Sequence, residues 1–149
     1  MVKLNFPTFD IKLKNRENTP YIFDVIRKKW VKCTPEEWVR VHCIHFLIHE
    51  KNYPASWIQV ERELSLFGTK KRFDILVHTP DQQHLLLVEC KAPTVALNQK
   101  SFDQILRYQL QLKCPYLMLT NGLNHYFCEM KTSEDFRFIE SLPSYTPSL

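Results

Sequence analysis

The stretch "LLLVECKAP", residues 85–93, runs four aliphatic side chains into a carboxylate, a thiol and an ammonium before Pro93 stops it. Four consecutive aliphatics suit a strand buried on both faces. Glu89 and Lys91, two apart on that strand, project from one face at the margin of an apolar core. Either they neutralise each other or something charged binds them. A further carboxylate stands one strand upstream, in "RFDILVHT". If that strand pairs with "HLLLVECK" across the loop "PDQQ", with Thr79 opposite His84, then Asp74 falls directly opposite Glu89. Like charges so placed repel unless a cation lies between them. Oxygen donors without a nearby imidazole or thiolate favour a hard ion, Mg²⁺ or Mn²⁺. Lys91 cannot ligate a metal, but it can position or deprotonate a water and stabilise charge on a phosphate. An aspartate followed one hairpin later by Glu-x-Lys is what metal-assisted phosphodiester hydrolysis requires. The plain structural reading of the tripeptide is a Glu89–Lys91 ion pair with Asp74 as a separate surface residue.

The elements that must position these residues are legible in outline. "TPEEWVRVHCIHFLIHEKN" opens with Thr34 as N-cap, Pro35 at the first helical position and two glutamates in the first turn. Glu37, Val41, Ile44 and Ile48 share one face of that helix, which aims Glu37 either inward or at the helix dipole from the first turn. "SWIQVERELSLF" alternates as a half-buried strand and turns at Gly68. With the two strands already named it makes an antiparallel meander. "LNQKSFDQILRYQLQLK" has helical composition, "PYLMLT" reads as a buried strand, and "NGL" leads through a hairpin signal into "NHYFCEMK". The passage 85–119 is then a right-handed parallel crossover. The order α, β, β, β, α, β, β specifies an α/β chain of α+β type: one mixed sheet with helices packed on it. Residues 1–33, with Pro7 and Pro20, read as an irregular N-terminal arm over the core, giving a single domain over 1–149.

On the second helix Gln104 and Tyr108 are four apart, a polar strip that either serves the site or is a surface amide beside a half-buried tyrosine. Lys70, Lys71 and Arg72 precede the Asp74 strand, and Lys100 and Arg107 lie on the second helix. Beside a phosphodiester site these five would contact backbone phosphates; without one they are solvated surface. His42, His45 and His49 line one helix, but no HExxH glutamate or outlying ligand accompanies them, so packing is the better account. Cys90 faces away from Glu89 and Lys91, as a small core residue.

Composition sets the outer bounds. Of 149 residues, 44% are hydrophobic and 24% charged, with a net charge of +4, compatible with a polyanionic partner without demanding one. No apolar run is long enough to span a membrane, and the N-terminus lacks the apolar stretch of a secretory signal. Five cysteines without paired metal spacing read as reduced thiols of a cytoplasmic protein.

Asp74, "Glu89-Cys-Lys91" and "Gln104-x-x-x-Tyr108" resemble the PD-(D/E)xK nuclease superfamily, in the branch holding the N-terminal nuclease domain of type I restriction enzyme R subunits. The blocks "IFDVIRKKWVKCTPEEWVRVHCIHFLI", "YPASWIQVEREL", "KKRFDILV", "LLLVECKAP", "FDQILRYQ" and "LTNGLNHY" extend the likeness over nearly the whole chain, to small standalone Bacteroidetes-type members. The resemblance implies a restriction-endonuclease-like αβββαβ core and a Mg²⁺-dependent (or Mn²⁺-dependent) endonuclease acting on DNA, with other restriction or defence subunits as further partners. It implies that Asp74, Glu89 and the backbone carbonyl of Cys90 ligate the ion, that Lys91 is catalytic, that Gln104 and Tyr108 support the site, and that Glu37 joins it. Phe73 replaces the proline that gives the superfamily its name, and no "GxxxxGK[ST]" loop occurs, so ATP-driven restriction is not expected of this chain alone. The competing expectation is a catalytically silent copy that binds nucleic acid or a protein partner.

Overall fold

A computed structural model describes residues 1–132 and 135–146; residues 133–134 and 147–149 of the expected single domain lie outside them. Two sheets and two helices make a mixed α/β fold. Strands β1 (Leu13–Arg16), β2 (Thr19–Asp24) and β3 (Lys29–Lys32) form a small antiparallel meander. Helix α1 (Pro35–His45) runs into a single π turn at Phe46–Glu50. There follow β4 (Ile58–Leu66), β5 (Thr69–His78), β6 (His84–Cys90), helix α2 (Gln99–Leu112), β7 (Tyr116–Thr120), β8 (His125–Met130) and β9 (Phe136–Ile139). The second sheet has the order β4-β5-β6-β7-β8-β9, antiparallel throughout except for the parallel β6–β7 pair that α2 connects. No helix among the described residues is long and apolar enough to cross a membrane.

The helices cover opposite faces of the large sheet. Val39, Cys43, Ile44 and Leu47 of α1 pack with Ile75, Val77, Leu86 and Val88. Phe102, Ile105, Tyr108 and Leu112 of α2 pack with Leu76, Leu87, Leu117 and Leu119. Each helix starts where a side-chain oxygen takes up a free backbone amide: Thr34 Oγ1 accepts from Glu37 N at 3.1 Å, and Asn98 Oδ1 from Ser101 N at 3.0 Å.

Residues 1–12 run without helix or strand over the core, with Leu4 buried in it, but residues 13–32 of the expected irregular arm form the small sheet. Glu17 and Asn18, at φ 51° and 64°, make the left-handed pair that a two-residue hairpin needs, and Pro20 is accommodated in β2. Ile22, Cys33 and Val41 close a small core between this meander and α1. Strand β9 was likewise absent from the expected order.

The β5–β6 register differs from expectation at its loop end and agrees with it at the other. His78, not Thr79, faces His84; a shift between Val77 and His78 then yields the pairs Val77–Leu86, Leu76–Leu87 and Ile75–Val88. One further step in that register would set Asp74 against Glu89, but Ile75–Val88 is the last pair of the ladder.

Candidate functional site

Asp74 stands where two ladders break off. On the β4 side, Val60 pairs with Ile75 and Arg62 with Phe73, while Glu61 and Asp74 between them are unpaired. On the β6 side, Ile75–Val88 is the last pair. Glu61 carries φ 52°, a left-handed conformation that is strained for a non-glycine residue inside a strand. Side-chain alternation slips at the same point: Phe73 and Leu76, an odd number of positions apart, are both buried on the α2 side. Freed from the ladder, the Asp74 carboxylate takes its own partners. Oδ2 accepts from Cys90 N at 2.8 Å, and Oδ1 accepts from Arg40 Nη2 at 2.7 Å.

Glu89 lies in the last turn of the pleat before β6 ends. Burial, and next the Asp74 charge, push its carboxyl up to about 8, with Lys91 acting in the opposite direction. Lys91 N donates to Thr120 O at 2.8 Å, which anchors the strand end beside β7. Among the described residues no carboxylate oxygen comes within 4.0 Å of Lys91 Nζ, so Glu89 and Lys91 do not form the contact ion pair that would have explained them away. Cys90 is 1% exposed and sits with its Sγ 3.8 Å from that of Cys43, in the core on the α1 side.

Arg40 is the residue that organises the cluster, and a motif of acids and a lysine does not single it out. It is 4% exposed, and besides Asp74 it contacts Glu37 at 2.5 Å and Glu36 at 2.9 Å. Burial disfavours its charge, but the Asp74 hydrogen bond and the surrounding carboxylates more than compensate and hold its pKa above the usual value. Glu37 does not stand free to face a ligand: it is shared between Arg40 and Arg27, whose Nη2 lies 2.6 Å away. Arg27 in turn holds the fully buried Asp24 at 2.5 Å and reaches Glu61 at 3.4 Å. The α1 carboxylate that acts electrostatically on Asp74 and Glu89 is Glu36; burial and the Asp74 charge both raise its pKa. The spacings Glu36–Arg40 and Glu37–Arg40, four and three apart on a helix, were the available signal for this network.

The remaining candidates lie on β5 and α2. Tyr108 packs its ring edge-on against Phe73 at 5.4 Å, and Gln104 Nε2 reaches its hydroxyl at 3.4 Å. The Gln–Tyr pair is thus joined to the Asp74 strand through Phe73. Lys71 Nζ lies 5.7 Å from the Tyr108 ring centre. Lys70 and Arg72 are exposed, with Glu63 and Glu61 at 3.7 and 4.0 Å. Lys100 and Arg107 are exposed on α2. The histidine row is packing: His42 and His45 are buried against Phe6, Phe9 and Trp38.

As a metal centre, Asp74 and Glu89 offer hard oxygen donors suited to Mg²⁺ or Mn²⁺. The carboxyl of Glu89 is held protonated at neutral pH by burial and by a like charge, the condition that a divalent cation reverses. Among the described residues no three His, Cys, Asp or Glu side chains gather into a ready metal-binding group. The donor chemistry fits, with Arg40 a further positive charge beside Asp74.

Fold and site together define a mixed α/β protein with an acid–arginine–lysine cluster at one end of its large sheet. Residues 35–143 match the model of the type I restriction enzyme R protein N terminus, and the chain belongs to that family. No curated protein matches the chain.

Proposed function

We propose that the protein is a divalent-metal-dependent nuclease domain acting on DNA, with the restriction-endonuclease-like αβββαβ core of the PD-(D/E)xK superfamily. Membership of an R-subunit N-terminal family gives the reading its class. The observation that carries it is the closeness of Asp74 and Glu89 just past the last β5–β6 pair, with Lys91 nearby and, among the described residues, no carboxylate oxygen within 4.0 Å of its Nζ. Asp74 and Glu89 would hold the ion with the Cys90 carbonyl. When bound, it supplies Lewis-acid polarisation of the phosphate and a water of lowered pKa.

The chain's own residues account for the rest. Arg40 Nη2 and Cys90 N fix both oxygens of Asp74, so its orientation is set before any ligand arrives. Glu89, whose carboxyl burial and the Asp74 charge push up to about 8, would have to be deprotonated to serve as a ligand. The Lys91 ammonium attends the attacking water or the charge growing on the phosphate. Gln104 and Tyr108 brace the site through Phe73, and Lys70, Lys71, Arg72, Lys100 and Arg107 supply phosphate contacts.

Lys91→Ala should abolish plasmid cleavage in Mg²⁺ or Mn²⁺ while leaving the thermal transition unchanged. Calorimetric titration of Mn²⁺ should show binding to the wild type and none to the Asp74→Ala, Glu89→Ala double variant. Cleavage retained by a clean Lys91→Ala preparation overturns the reading. One observation favours the silent alternative: Arg40 already neutralises Asp74, so the fold can be ionically closed without a metal. Wild-type DNA binding with no Mn²⁺ uptake would establish that second reading.

A further inference from the structure

The pairing registers carry the row of Glu89 onward across the sheet. Glu89 pairs with Leu119 on β7, and Leu119 pairs with Tyr126 on β8. Register partners project to the same face, here the face that α2 covers. Tyr126 therefore lies in the row of Glu89, two strand spacings or about 10 Å away. At that point the sheet opens into a concavity of about 210 Å³, floored by Leu119 and Phe102 and walled by Tyr126, Phe138, Leu97 and the start of α2. Its aromatic rings are unusually bare for a site next to a core: Tyr126 is 45% exposed and Phe138 is 59% exposed. They stand 6.3 Å apart and inclined at 64°, and Phe102 supports Phe138 at 5.3 Å. Asn98 and Gln99 bring amides to the rim, and the exposed Lys100 follows them.

We infer that this aromatic pocket receives an unstacked nucleobase of the strand held at the Asp74–Glu89 site, so that the substrate is single-stranded or locally opened DNA. The inference rests on the nuclease reading for its phosphate and adds the base. A ring face takes any base by stacking, and rim amides can meet its polar edge. Ten ångströms is at most about three nucleotides, at about 3.4 Å each, so the pocket and Glu89 address one short stretch of strand. A cation beside the pocket and Lys91 beside the carboxylates complement the phosphates between them. Intact duplex keeps its bases stacked and paired, out of reach of such a pocket.

The test is fluorescence anisotropy in Ca²⁺ of a short oligothymidylate carrying one 2-aminopurine, of the same strand with abasic sites, and of a duplex, with strand integrity checked on a gel. The wild type should bind the single strand, quench the 2-aminopurine, and bind the abasic strand and the duplex about tenfold more weakly. Tyr126→Ala and Phe138→Ala should each lose about as much with an unchanged melting temperature, whereas Tyr126→Phe and Phe138→Tyr should retain both binding and quench. Equal affinity for strands with and without bases, or wild-type affinity in the alanine variants, overturns the base pocket; Lys91-dependent cleavage in the same preparations would leave the nuclease reading standing. Absence of DNA binding by the wild type overturns both. A concentration-dependent dimer that the alanine variants abolish would assign the aromatic face to a second copy instead.

Discussion

Glu89 is the side chain whose surroundings most resist its charge. Folded, it keeps its proton to about 8, against an ordinary carboxyl value of 4.5. Below the ordinary value both the folded and unfolded forms are protonated, and the stabilising contribution is complete. Between 4.5 and 8 only the unfolded chain releases the proton, so stability falls across that window and levels off above it. His42, His45 and His125, whose pKa values burial lowers, slope the other way: they favour the fold when neutral and penalise it as pH falls. A comparison with Glu89→Gln cancels the histidines. Urea unfolding from pH 5 to pH 9 should show the wild type losing ground to Glu89→Gln by on the order of a few kcal/mol. Saturating Mn²⁺ should remove that loss in the wild type alone, because the ion binds the deprotonated carboxylate. Parallel curves for the two proteins would mean that Glu89 titrates normally and does not share its site with Asp74.

At the scale of elements, the turn between β7 and β8 shows how a local conformation is locked by a remote one. Gly122 has φ +85°, and a Cβ there would lie 2.7 Å from Leu4 Cδ2 and 3.0 Å from Val39 Cγ2. Its carbonyl also accepts from Asn5 N at 2.8 Å, tying the N-terminal residues to the sheet. Gly122→Ala should cost about 1–3 kcal/mol from strain and overlap combined. Leu4→Ala in the same background should recover part of it, giving a cycle with non-additive unfolding energies; strict additivity would show that Leu4 does not crowd the turn. The Asn-Gly signal made this hairpin readable, as alternation did for β4 and helical spacing for α1. The Asp74–Glu89 alignment was readable only in part. The expected Thr79–His84 pair does not occur; the shift at Val77/His78 restores the expected register for Val77, Leu76 and Ile75, and the ladder ends one residue short of Asp74. The meander β1–β3 is hidden because β1 and β3 are four-residue strands carrying exposed lysines and β2 carries Pro20, a composition that reads as loop. Glu61 looked like the polar half of an alternating strand, and nothing in one sequence announces a left-handed residue opposite Asp74.

For the whole molecule, the meander is a structural part of the site. The match to R-subunit N termini begins at residue 35, yet Arg27, on the turn after β2, holds Glu37 and Glu61 from outside that span. The contacts run in series from Asp24 to Arg27, Glu37, Arg40 and Asp74, alternating in sign from a fully buried residue of the small sheet to the carboxylate on the large one. Such a network is costly to open at one member, because the buried partner is left charged and unmatched. Arg27→Ala strands Asp24, which among the described residues keeps only the backbone amides of Ile26 and Arg27, and takes from Glu37 a cation that it shares with Arg40. Its expected cost is about 3–5 kcal/mol. Asp24→Asn in the same background should restore part of that stability by removing the stranded charge. Arg27→Lys should restore less, since an ammonium cannot span Asp24, Glu37 and Glu61 as a planar guanidinium does. If the series couples the two sheets, the Arg27→Ala and Arg40→Ala effects will fall short of additive in denaturant unfolding, since each breaks the same chain of contacts. Additive effects with independent melting of a small unit would instead make the meander an appendage, and Arg40 would then hold Asp74 without help from the N-terminus.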